Sequence, residues 1–115
     1  MLHFDTRADN LLIANGRVYV VDWPSACIGA AWVDWVAMIP SVVMQGGPPP
    51  EAVLDRFEIN DASSAEIDAT LCSLAGYFVV RALDPPPPGL PTVRAFQAAQ
   101  GKVALAWLRE RLGWT

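Results

Sequence analysis

The chain begins with two short aliphatic runs, residues 11–14 and 17–21, on either side of Asn15-Gly16. An Asn-Gly pair between such runs predicts a β-hairpin, because both turn positions favour the positive φ of a type I′ turn. Folding back there brings residue 22 beside residue 10. Further along, the apolar positions take a helical spacing. Residues 32–45 read as a helix ended by Gly46-Gly47 and a triple proline, and Pro40 inside it predicts a kink or break near Ile39. A short second helix is expected from Pro49 or Pro50 to Phe57, with proline in its first turn. Ser63 and Glu66 form a capping-box pair that opens a long helix, its apolar face marked by Ile67, Leu71, Leu74, Phe78 and Ala82. The DPPPPGLP stretch at 84–91 predicts a stiff, extended spacer. A last helix spans residues 93–112, with Phe96, Val103 and Trp107 facing the core and Gly113 stopping it.

The expected fold is therefore mainly α with one small β-hairpin, and 115 residues make residues 1–115 a single domain by length. Composition adds one unusual feature. Hydrophobic residues make up 53% of the chain, with five tryptophans, against ~45–50% in soluble domains even when glycine is counted. Some apolar surface is thus expected to lie against something outside the chain. A net charge of −4 provides no basic stripe to neutralise phosphates, which argues against a nucleic-acid partner. The longest apolar run, residues 36–44, contains Pro40 and is too short to span a bilayer. Cys27 and Cys72 have no framework of spacings and read as small buried apolar residues in a reducing, cytoplasmic setting. No signal-peptide pattern precedes the first motif.

The chemistry is concentrated in the first twenty-two residues. His3, Asp5 and Asn10 stand in the order His-x-Asp-x-x-x-x-Asn, and Asp22 ends the second aliphatic run. Asp and Asn in polar loops are ordinary turn formers, so the pair alone carries little. The joint arrangement of His3, Asp5, Asn10, the hairpin runs and Asp22 is more specific. It resembles the catalytic loop and metal-binding aspartate of protein-kinase-like phosphotransferases, in particular the aminoglycoside phosphotransferase and choline kinase branch, whose C-terminal lobe carries His-Gly-Asp-x-x-x-x-Asn.

That resemblance implies a fold, an activity and a set of roles. The fold is the C-terminal, helical lobe of the protein-kinase-like fold. The activity is an ATP- and Mg2+-dependent transfer of phosphate to a hydroxyl of a small molecule, of the aminoglycoside-like acceptor class. Asp5 corresponds to the catalytic base that takes the hydroxyl proton, and Asn10 and Asp22 to the oxygen ligands of magnesium. His3 and Asp34 correspond to residues that brace the loop, and Arg7 offers a guanidinium as a phosphate contact. Asp34 also reads as an ordinary acid in the first turn of a helix. Trp23-Pro24 departs from the family, where an acidic residue often lies two positions after the metal aspartate. Asp22 is then the only carboxylate ligand in that stretch.

The N-terminal lobe, with its glycine-rich cover and strand lysine, has no counterpart, since Lys102 is the only lysine and lies in the last helix. The chain accordingly reads as a truncated enzyme, incomplete by itself. The expected partners are nucleotide and a small-molecule acceptor, with no nucleic acid and no membrane. The open face would be covered by self-association or by the missing N-lobe. The alternative is a catalytically silent fragment or interaction module that keeps the C-lobe fold.

Overall fold

The computed structural model describes residues 1–114. The chain divides into two compact units, Met1–Ala62 and Ser63–Thr115.

The first unit carries a short 3-10 turn, Ala8–Asn10, that runs directly into the hairpin of β1 (Leu11–Ala14) and β2 (Arg17–Val20). The strands are antiparallel, with Leu11 opposite Val20 and Ala14 opposite Arg17. Asn15 and Gly16 take φ of 51° and 71°, the turn geometry that the Asn-Gly pair predicts. The hairpin is exposed on both faces: Leu12, Ile13, Val18 and Tyr19 all face solvent. An isolated antiparallel bridge joins Leu2 to Cys27.

Helix α1 (Trp32–Met44) supplies most of this unit's core through Trp32, Val36, Ile39, Pro40 and Ser41. Of the kink or break expected near Ile39, the break does not occur: α1 is continuous through Pro40. Proline there removes the bond to the carbonyl four residues back, but its ring is fully buried, so packing offsets part of the loss. Gly46 adopts φ 85°, and the amides of Gly46 and Gly47 bond back to the carbonyls of Val43 and Val42, closing α1 in a left-handed cap. Helix α2 (Pro50–Leu54) is shorter than expected. After Leu54 the chain tightens into i→i+3 turns, with Arg56 bonded to Val53 and Phe57 to Leu54, and the Phe57 ring stacks on Trp35 at 4.7 Å.

The second unit is a pair of long helices, α3 (Ser64–Arg81) and α4 (Val93–Leu112). The capping box is present: Ser63 Oγ accepts from the Glu66 amide, and Glu66 Oε2 accepts from the Ser63 amide. The Ser63 amide and, at 2.7 Å, the Ser63 hydroxyl both donate to Glu66 Oε2, and these two bonds hold the Glu66 carboxyl below its ordinary range. Because its folded value is depressed, the stabilisation it gives is present above the unfolded value and is lost as pH falls through the folded one.

The buried stripe of α3 is Ile67, Leu71 and Ala75, against Gln100, Gly101, Ala104, Trp107 and Leu108 of α4. Leu74, Phe78 and Ala82, expected in the core, are only half-buried, as are Phe96 and Val103. The helices approach closely at Gly101, where a Cβ would come within 3.2 Å of both Phe78 Cβ and the Val79 amide nitrogen. Arg111 pairs with Asp68 and donates from Nη2 to Ser64 Oγ at 2.9 Å.

Two further expectations are corrected. The proline stretch is not extended throughout: Leu90 bonds back to the Pro87 carbonyl, and Gly89 at φ 80° makes the turn. Cys27 and Cys72 are exposed free thiols. Cys27 pairs through its backbone only, and Cys72 follows Leu71 off the buried stripe of α3. Among the described residues, no helix is long and apolar enough to cross a membrane.

Candidate active site

All six residues singled out in the sequence lie in the first unit. The loop that carries them is anchored by Asp34, in the first turn of α1. Its two carboxylate oxygens take separate backbone donors, the His3 amide at 2.7 Å and the Phe4 amide at 2.8 Å. Asp34 therefore clamps the loop from a helix start that also favours its charge. His3 is buried and ties two further segments together. Its Nε2 donates to the Val21 carbonyl at 2.8 Å, and Nδ1 accepts from the Asp5 amide at 3.2 Å. A carbonyl oxygen can only accept, so the proton belongs on Nε2. The Trp23 ring meets the imidazole edge-on at 4.7 Å.

Phe4 occupies the position where the resembling motif has glycine, and it adopts φ 62°. This left-handed region costs a non-glycine residue roughly 1–2 kcal/mol. Phe4 is also half-exposed, so burial returns little of that cost. Phe4→Gly is expected to stabilise the chain by about 0.5–1 kcal/mol after the greater unfolded-state entropy of glycine is counted, measured as a rise in urea midpoint. A fall in the midpoint would show that the ring contributes packing that outweighs the strain.

The Asp5 side chain is 37% exposed, and its oxygens have distinct neighbours. Oδ1 lies 3.2 Å from Arg7 Nε, and Oδ2 lies 3.3 Å from Asn10 Nδ2. A carboxylate has about four lone-pair sites, so Asp5 keeps capacity for a further donor such as a hydroxyl. Arg7 is held between two acids, its Nη2 lying 3.2 Å from Asp9 Oδ2. Sequence reasoning passed over Asp9. The alternation of Asp5, Arg7 and Asp9 at steps of two was the signal available.

Asn10 is buried in the 3-10 turn, where its Nδ2 donates to the Asp5 carbonyl at 2.8 Å. Its own side-chain oxygen is therefore the end directed away from Asp5. The Val21 amide bonds to the Asn10 carbonyl at 2.9 Å, so the hairpin ends with Asp22 one residue beyond Asn10's partner. Asp22 is exposed and takes φ 61°, a conformation that Asp tolerates better than most residues.

Among the described residues, no group of three or more His, Cys, Asp or Glu is placed to hold a metal. The oxygens that the family resemblance would assign to a metal, those of Asn10 and Asp22, are instead one amide oxygen and one carboxylate. That set suits magnesium, which keeps several waters and is held by one or two protein carboxylates together with substrate phosphates. Beside the loop, an open groove of about 330 Å³ lies between Ala8 and Leu11 on one side and Met38, Ser41 and Val42 of α1 on the other.

No curated protein and no solved structure matches the chain. A family model does match, over residues 1–67, and this covers more than half of the 115 residues. The helical architecture with its single antiparallel hairpin is compatible with the C-terminal lobe of the kinase-like fold. The chain belongs to the phosphotransferase enzyme family.

Proposed function

We propose that the Met1–Ala62 unit is the catalytic part of an ATP- and Mg2+-dependent phosphotransferase that phosphorylates a hydroxyl of a small molecule. The observation that carries this reading is the convergence on Asn10. Its amide touches Asp5, and its backbone carbonyl pairs with the residue before Asp22. A base and two oxygen ligands are what phosphoryl transfer requires of a protein, because positioning and charge compensation dominate the reaction. Family members generally use ATP and Mg2+.

In this reading Asp5 accepts the proton of the acceptor hydroxyl as its oxygen forms a bond to the γ-phosphorus. The bond from that phosphorus to the β,γ-bridging oxygen breaks, and ADP leaves. Asn10 Oδ1 and the Asp22 carboxylate would hold magnesium, which when bound neutralises charge on the phosphates. His3 and Asp34 keep the loop in register and touch no substrate. The chain, joined to an N-terminal lobe from a family member, is incubated with γ-labelled ATP, magnesium and a panel of aminoglycoside, choline-like and sugar alcohols. Label is expected on a hydroxyl of at least one acceptor, and only with magnesium present. Release of label to water alone, at the same rate with and without every acceptor, would count against a small-molecule kinase.

A further inference from the structure

We propose that Trp23 is a positioning residue: its indole N–H, bonded to the Val20 carbonyl, holds Asp22 in its left-handed backbone conformation and so fixes where the Asp22 carboxylate stands. The proposal rests on the reading of Asp22 as a metal ligand. Among the described residues, three that are not glycine take positive φ: Phe4 at 62°, Asn15 at 51° and Asp22 at 61°. An L side chain disfavours that region, so each has to be held there. Phe4 has its amide bonded to Asp34, and Asn15 occupies the hairpin turn with Gly16. Asp22 has no such bond of its own. Among the described residues, neither its backbone nor its carboxylate makes a hydrogen bond, so its conformation is set by what ties its neighbours together.

Those neighbours are fixed on both sides. Val21 donates its amide to the Asn10 carbonyl at 2.9 Å, and its own carbonyl accepts from His3 Nε2 at 2.8 Å. Residues 10 and 21 therefore face each other as a hydrogen-bonded pair. Leu11 and Val20, the next pair along, are then a non-bonded pair whose carbonyls point away from the partner strand. In a two-stranded sheet the Val20 carbonyl has no further strand to pair with, and it accepts from Trp23 Nε1 at 2.8 Å. Beyond Asp22, Trp23 precedes Pro24, which confines its backbone to extended conformations, and the Ala26 amide returns to the Trp23 carbonyl at 3.2 Å. The indole also meets the His3 ring edge-on at 4.7 Å. Val20 at the end of β2 and Trp23 at the start of this turn are thus two anchored ends, and the indole bond ties them together across Asp22. Without the indole N–H the ends keep their other bonds, but nothing spans Asp22, and its backbone returns to the extended region.

The test uses the full chain with Trp23 replaced by benzothienylalanine, which keeps the two-ring shape and has sulfur where the indole N–H stands. Trp23→Phe, which keeps one ring against His3, serves as the second variant. A left-handed residue, with φ of about 60°, brings its own amide and α protons together, so the nuclear Overhauser effect between them is strong. That reading needs neither metal nor turnover. In the wild-type chain the effect should be strong at Phe4, Asn15 and Asp22. Both replacements should weaken it at Asp22 to the level of an extended residue and leave it strong at Phe4 and Asn15. Manganese titrated in the presence of ATP should then bind the replaced chains about fivefold more weakly, the effect of losing one hydrogen bond. An Asp22 signal that stays strong in the benzothienylalanine chain would overturn the proposal. Equal weakening at all three residues would overturn it too, because it would show general loosening in place of a tie at Asp22. Weakening confined to Asp22 with manganese affinity unchanged would leave the tie standing and refute Asp22 as a metal ligand.

Discussion

Asp34→Ala is expected to loosen the whole N-terminal loop, costing about 3 kcal/mol of local stability. One carboxylate receives both the His3 and Phe4 amides, and hydrogen bonds to a charged acceptor contribute roughly 1.5–3 kcal/mol each. The two losses are unequal. The Phe4 amide is on an exposed residue and can turn to water, whereas His3 is only 2% exposed and its amide would be stranded. Phe4 would also be released from its left-handed conformation, which favours the loosened loop further. Hydrogen exchange at Leu2, Cys27 and Val21 reads the effect, because these amides bond across the loop but do not touch Asp34. Exchange there should quicken by roughly a hundredfold, the equivalent of about 3 kcal/mol, while α3 and α4 amides stay as protected as before. Unchanged exchange at those three positions would mean that α1 does not hold the loop through this side chain.

With an N-terminal lobe of the family supplied, Asp5→Asn is expected to have the largest effect on chemistry. General-base catalysis contributes roughly 10²–10⁴-fold to rate, and the amide of asparagine cannot take a hydroxyl proton. The substitution keeps shape, and Asn10 and Asp22 are untouched, so nucleotide affinity should change by only a few fold. A fall in kcat with nearly constant nucleotide KM is the signature of an interaction made in the chemical step. Retained turnover in the variant would remove Asp5 from the role of base.

Much of this arrangement could be read from the residues before any coordinates. The hairpin was legible because Asn15 and Gly16 are among the few residues that accept positive φ without strain, and the α3 start was legible because Ser63 and Glu66 satisfy each other's amides locally. Elements specified by short-range chemistry declare themselves in this way. Features settled by packing did not. Whether Pro40 breaks α1 depends on whether its ring finds a core, and it does. The facing stripes of α3 and α4 depend on where the two helices meet, and that places Ala75 and Leu108 in the core. The proline stretch turned because one glycine, Gly89, was free to take positive φ.

The site divides along the same line. Spacing singled out His3, Asp5, Asn10 and Asp22, but it could not show that Asp34 reaches back thirty residues to two amides. Nor could it show that Arg7 is held on both sides by acids, which only the 3-10 turn brings about.

The central claim is that Asn10 and Asp22 hold the metal of a metal–nucleotide complex next to Asp5, and paramagnetic broadening tests it most directly. Manganese replaces magnesium in the presence of ATP, and the NMR signals of the full chain are followed as the metal is titrated. Broadening should appear first at the Asn10 side-chain amide and at the backbone of Asp5 and Asp22, and Asp22→Ala should abolish it there. Broadening centred instead on the exposed acids Glu51, Asp55, Glu58 and Asp61, with the Asn10 amide unaffected, would contradict the account.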